Sequence, residues 1–256
     1  MGIVLSLVSR KGGVSKTTLA LNLAAVMGED GLRVRLVDLD SQASLSQFFL
    51  GSEAVELLRP KHTVEALFDG ATVESIEQPT RIPGVSLIPA GLRFKPDAVL
   101  AIPIRSAGID VVLVDSPPDT NNPAVRSALL VSDFVLSPVV PEPFGLQSIA
   151  SVQQLLGSVC MASNPRLSLL GYVVAMKQRL AVHSAVSELL RRIHGGQVFT
   201  TEIPSTAAFK EAAAAGKTLI EYQPRGQAAN SLRALWQEAG ERIAQSSKSA
   251  EKRRIA

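Results

Sequence analysis

The residues best able to do chemistry lie near the start of the chain. Ser9-Arg10-Lys11-Gly12-Gly13-Val14-Ser15-Lys16-Thr17-Thr18 follows the apolar run Ile3–Val8 and leads into a helical pattern from Lys16 to Met27. A strand, a glycine-rich loop and a helix in that order form a cradle for phosphate. The glycines let backbone N–H groups approach an anion, and the helix N-terminus adds partial positive charge. Lys16 would reach the outer phosphates of a nucleotide, and the Thr17 hydroxyl would sit on Mg²⁺. An ordinary loop of this kind has Gly where Arg10 and Ser15 stand. If the backbone at position 15 needs positive φ, Ser costs on the order of 1 kcal/mol there.

Two further apolar runs end in carboxylates. One is Val37-Asp38-Leu39-Asp40-Ser41-Gln42, the other Val111-Val112-Leu113-Val114-Asp115-Ser116-Pro117-Pro118. Carboxylates gathered beside a triphosphate repel it unless a cation lies between them, so Mg²⁺ is implied. An Asp that closes an apolar strand can also cap the helix that follows. For Asp38 both readings stand.

Taken in order, these segments resemble the deviant Walker A ATPases of the ParA/MinD family, whose loop reads Lys-Gly-Gly-x-x-Lys-Thr-Thr after a strand. Ser15 and Ser41 stand where that family usually has Gly and Pro. The resemblance implies a P-loop NTPase that uses ATP and Mg²⁺, with Lys11, Gly12, Gly13, Val14, Ser15, Lys16, Thr17 and Thr18 around the nucleotide. It implies that Lys11 crosses a nucleotide-sandwich homodimer to the partner's phosphates, stabilising charge like an arginine finger in trans. Lys11, Lys16 and Asp40 would be the catalytic set, with Asp40 orienting the attacking water. Thr17, Asp38 and Asp115 would organise the metal, and Asp119–Asn122 would sense the γ-phosphate. Further on, Glu202-Ile203-Pro204, Phe209-Lys210-Glu211-Ala212 and Ala215-Gly216-Lys217-Thr218-Leu219 resemble the family's C-terminal segment, in which the loop at Pro204 lies against adenine. The resemblance runs from residue 1 to about 245.

Such residues need a scaffold that brings loops to one edge. Ile3–Val8, Val34–Val37, Val85–Ile88, Val111–Val114, Phe134–Val139 and Leu169–Val174 read as strands buried on both faces. Lys16–Met27, Asn122–Leu130, Leu146–Val159, Ala185–Ile193, Ala207–Ala215 and Gln227–Ala244 read as helices. The alternation predicts an α/β fold, a mostly parallel twisted sheet with helices on both faces and its ligand beyond the carboxyl ends of the strands. Residues 51–83 read as short helices and loops. The expected organisation is one ATPase domain over 1–245 and a basic, disordered tail over 246–256.

Composition narrows the class. With 256 residues the chain suits one sizeable domain, and 4% aromatic content means a core of Ala, Val, Leu and Ile. A single Cys160 excludes an iron–sulfur carrier, which needs several thiolates. No apolar run approaches the ~20 residues of a membrane span, and no signal peptide opens the chain. The net charge is +3, a surplus matched by Lys248, Lys252, Arg253 and Arg254 against Glu251 in the last ten residues. That tail lacks the apolar stripe of a membrane-binding helix. Leu232, Leu235, Trp236 and Ile243 have helical spacing and read as a core-facing stripe.

Among relatives with this engine, the reading that remains is a short ParA-type ATPase without an N-terminal helix-turn-helix domain. It would partition a plasmid or chromosome, dimerise on ATP, bind double-stranded DNA nonspecifically and release it on hydrolysis. A small DNA-binding partition protein would be its partner and a membrane would not. It would be cytoplasmic, and nucleoid-associated when ATP-bound. Arg191, Arg192, Lys210 and Arg233 are the candidate DNA contacts, through phosphates alone. The alternative is a positioning ATPase of the same family for a non-DNA protein cargo. A ligase-like enzyme such as dethiobiotin synthetase is a third reading, which Lys11 argues against because a plain phosphate loop suffices there.

Overall fold

The computed structural model describes residues 2–92, 94–143 and 145–255, with side chains at 146 and beyond Lys248 outside the description. Seven strands form one sheet: β1 (Ile3–Leu7), β2 (Val34–Asp38), β3 (Gln78–Pro79), β4 (Val85–Ile88), β5 (Val111–Asp115), β6 (Phe134–Val139) and β7 (Ser168–Val174). Their spatial order is β3-β4-β2-β5-β1-β6-β7, parallel throughout except for the two-residue edge strand β3. Proline is tolerated in β3 because an edge strand can turn the position of the missing N–H away from its one neighbour.

The helices are α1 (Lys16–Glu29), α2 (Ser44–Leu50), α3 (Ser52–Leu57), α4 (Glu65–Phe68), α5 (Pro123–Val131), α6 (Gly145–Ala162), α7 (Ala181–His194), α8 (Ala207–Ala214), α9 (Leu219–Tyr222) and α10 (Gln227–Ile255). Successive strand residues feed opposite cores. Leu5, Leu113 and Leu36 face one layer with α1, α9 and α10, while Val4, Val112 and Val37 face the other. Two buried faces explain why the strands read as nearly continuous apolar runs. The stripe Leu232 and Leu235 is fully buried, with Trp236 and Ile243 packed at its margin.

Within 51–83 the chain forms α3, α4, β3 and two single 3₁₀ turns, at Pro60–His62 and Val73–Ser75. Helix α10 continues through Ile255, because nothing between Gln227 and Ile255 is Pro and the only Gly is Gly240. The cations Lys252, Arg253 and Arg254 lie where side chains are not described.

Candidate active site at the carboxyl ends of the central strands

Strand register brings the chemistry together. Leu7 of β1 and Asp38 of β2 both pair with Asp115 of β5, so the loop after β1 starts at the level of the two carboxylates. The N–H of Leu39 also donates to the Asp115 carbonyl at 2.9 Å. The loop turns into α1 through two left-handed residues, Gly13 at φ 71° and Ser15 at φ 72°. The positive φ anticipated at Ser15 is therefore present. Its hydroxyl makes no capping bond to the helix. Gly12 leaves room beside Pro118, whose Cβ would stand 3.8 Å from a Cβ added at Gly12.

Lys16 begins α1 and is only 7% exposed. Burial lowers its pKa against the opposing pull of Asp115 and Asp40. The Thr17 hydroxyl donates to Asp115 Oδ2 at 2.6 Å, and the other oxygen, Oδ1, is buried without a hydrogen-bond partner. Burial first, then the charge of Asp38, raises the Asp115 pKa to about 8. A buried carboxylate with a free oxygen beside a threonine hydroxyl suits a divalent cation. Among the described residues no three or more His, Cys, Asp or Glu side chains converge, and Mg²⁺ held together with substrate phosphates needs only one or two protein ligands.

Asp38 is completely buried, and both its oxygens are engaged. Oδ2 accepts from the Ser46 N–H at 2.9 Å and the Ser46 hydroxyl at 2.7 Å, and Oδ1 accepts from the Asp40 N–H at 3.1 Å. The N-cap position of α2 is Ala43, which makes no side-chain capping bond, and the Asp38 carboxylate reaches the first turn of α2 through Ser46. Burial raises its pKa to about 6, against the bonds from Ser46. Asp40 is half-buried, and one of its oxygens accepts from the Gln42 N–H at 3.0 Å.

Lys11 is paired outside this carboxylate cluster. Its ammonium pairs with Glu142 at 3.0 Å, both side chains nearly half exposed. Arg10 beside it donates to the Ser151 hydroxyl at 3.1 Å. Asp119 accepts from the Asn121 N–H at 2.9 Å, and Asn122 caps α5 through the Ala124 N–H at 2.8 Å. Pro204 pairs by an isolated parallel bridge with Lys177, just beyond the end of β7. It lines a cavity of about 1010 Å³ with Gln178, Leu180, Thr206 and Gln227.

The segment 216–219 is tied to α1. Buried Asn22 of α1 accepts the Leu219 N–H at 2.7 Å and donates to the Thr18 carbonyl at 2.8 Å. Neither Asn22, Glu142 nor Ser46 was singled out from sequence. Glu142, in Pro141-Glu142-Pro143 after an apolar strand, had a positional signal like that of Asp115. The other two had none.

The candidate DNA cations divide. Arg191 pairs with Glu202 at 2.8 Å and Arg233 with Glu29 at 2.9 Å. Arg192 and Lys210 are exposed.

Comparison with known proteins completes the description. The AAA domain family model matches residues 2–169. The chain is 34% identical to the chromosome-partitioning ATPase Soj of Thermus thermophilus over 252 residues, covering 93% of this chain and 96% of the relative. The cell division ATPase MinD of Pyrococcus furiosus superposes with a TM-score of 0.75 at 24% identity, covering 94% of this chain and 99% of that one. A variant of McdA from Cyanothece in complex with ATP superposes with a TM-score of 0.76 at 19% identity, covering 95% and 96%.

Proposed function

The chain belongs to the ParA/MinD family of partition ATPases, and from that premise we propose that it is a Mg²⁺-dependent ATPase that dimerises on ATP, binds duplex DNA without sequence preference and lets go on hydrolysis. Its fold is that of a P-loop nucleoside triphosphatase. The observation that carries the proposal is the buried pair at the mouth of β1 and β5. Lys16 is held in a dry site among carboxylates, and Asp115 keeps an unsatisfied oxygen next to Thr17.

Thr17 and Asp115, with Asp38 behind them, are the proposed Mg²⁺ set. When bound, Mg²⁺ would neutralise phosphate charge. The loop amides from Lys11 to Thr18 cradle the phosphates, and Lys16 binds the outer two. Asp40 orients the attacking water. Lys11 leaves Glu142 and reaches the phosphates of a second copy, which makes hydrolysis depend on dimerisation. The Pro204 loop lies against the base. On the outside, Arg192 and Lys210 are the stronger candidates for phosphate contact. Arg191 and Arg233 already spend their charge on carboxylates, so each pair contributes little net field. The protein would be cytoplasmic, nucleoid-associated with ATP, and paired with a small DNA-binding partition protein.

Cosedimentation with duplex DNA and with anionic liposomes, in ATP and in ADP, tests this. If each subunit neutralises about 2 phosphates, the log–log salt slope is near −2 for a monomer and near −4 for a dimer. Binding should therefore require ATP, ignore sequence and fade above roughly 0.2 M salt. Liposomes should bind weakly and equally with either nucleotide. ATP-dependent liposome binding without DNA binding would overturn the partition reading.

A further inference from the structure

Ser46 belongs to none of the motifs above, yet it is fully buried and joins three parts of the site. Its hydroxyl donates to Asp38 Oδ2 at 2.7 Å and accepts the Ala90 N–H at 2.9 Å. Its own N–H donates to the same Asp38 oxygen at 2.9 Å. The opposite oxygen of Asp38 receives the Asp40 N–H at 3.1 Å. Asp38 is therefore a bridge between the first turn of α2 and the backbone of the residue two positions after it.

That bridge matters because it holds the Asp40 N–H directly, whereas the neighbouring tie to the sheet, the Leu39 N–H on the Asp115 carbonyl at 2.9 Å, lies one residue short of Asp40. The turn after it is Ser41-Gln42-Ala43, with no proline to stiffen it and with Ala43 at φ 50°. The Ala43 N–H closes on the Asp40 carbonyl at 2.8 Å, and those local bonds move with the turn. The bonds through Asp38 do not. They run to a buried hydroxyl that is itself pinned at the end of β4. A carboxylate that aims a water must be held to a fraction of an ångström.

We propose that Ser46 is a positioning residue for hydrolysis: acting through Asp38, it holds the Asp40 backbone at the aim the attacking water requires, and through Ala90 it anchors that aim to the sheet. The proposal rests on the ATPase reading above. It also gives Asp38 its part in the reaction: orientation from behind the reacting groups.

The test uses the full-length protein with Mg²⁺-ATP and duplex DNA. Turnover is counted per bound nucleotide for the wild type, Ser46→Ala, Ser46→Thr and Ser46→Val, with ATP affinity measured beside it. Ser46→Ala should cut turnover by about 10-fold to 100-fold while ATP affinity stays within about 2-fold of wild type. Ser46→Thr, which keeps the hydroxyl, should restore turnover. Ser46→Val, its near-isostere without the hydroxyl, should not, and this pair decides the matter if the alanine variant fails to fold. Unchanged turnover per bound nucleotide in Ser46→Ala would overturn the proposal, as would Val matching Thr or a parallel loss of affinity and turnover. A wild-type protein that binds no ATP or never turns it over on DNA would overturn the ATPase reading and this inference with it.

Discussion

Asp40 lies close enough to Lys16 to oppose the lowering of its pKa by burial, but their surroundings assign the two residues different tasks. Lys16 is buried at the helix start, where a cation can hold ground-state phosphates. Asp40 is half-buried on a turn, where it can reach a water. Lys16→Ala should therefore lose ATP binding, whereas Asp40→Ala should bind ATP and dimerise but not release phosphate. Equal loss of affinity in equilibrium binding would show that Asp40 has been misassigned. Ser15 offers a second test at this scale. A β-carbon at φ 72° is strained by about 1 kcal/mol, partly offset in Ser15→Gly by a freer unfolded chain. Thermal unfolding of Ser15→Gly should show a Tm higher by about 2 °C. A lower Tm would mean that the serine hydroxyl makes a stabilising contact that outweighs the strain.

Between elements, the decisive contacts are few and polar. Asn22 joins α1 to α9 by accepting an N–H that has no other partner inside the core. Replacing it with Leu keeps the number and branching of heavy atoms and removes the acceptor, so Leu219 is left with a buried unsatisfied N–H. Asn22→Leu should lower unfolding free energy by about 1–3 kcal/mol, read from the urea midpoint. An unchanged midpoint would mean that water reaches the Leu219 amide. Arg242 does similar work for α10. It donates to the carbonyls of Gly196 and Val198 and lies 3.9 Å from the Phe199 ring centroid, clamping the helix across the start of β7.

For the molecule as a whole, the two buried carboxylates set a pH dependence. Asp115 and Asp38 have pKa values of about 8 and about 6 in the metal-free fold, against 3.8 when unfolded. Between those values the folded chain binds more protons than the unfolded one. Their contribution is fully present below about pH 4 and is lost as pH rises through 6 and then 8. The lowered Lys16 pKa works in the opposite direction, against the two raised carboxylates. With a chelator present, urea unfolding should show a less stable protein at pH 8 than at pH 6. Mg²⁺ with ATP should shrink that difference. A stability that rises from pH 6 to pH 8 in chelator would mean that both carboxylates are already ionised and satisfied.

The sequence by itself determined the sheet, because strands buried on both faces are built mainly from apolar residues and so announce themselves. Five of the six strands read from sequence start at the residue where they were expected, and the sixth starts one earlier, at Ser168. The succession of β1, a glycine-containing loop and α1 was equally legible, since the apolar run, the glycines and the helical pattern follow one another directly. Helices α2 and α9 and strand β3, at 7, 4 and 2 residues, are too short for a period to show. Tertiary structure alone decided the pairings: Lys11 with Glu142, Asn22 with Leu219 and Asp38 with Ser46. It also decided that Arg191 and Arg233 are taken up by neighbouring carboxylates. The physical reason is distance along the chain. Asn22 and its partner are 197 positions apart, and a hydrogen bond between such groups depends on how helices pack across the sheet, which leaves no periodic trace in either segment.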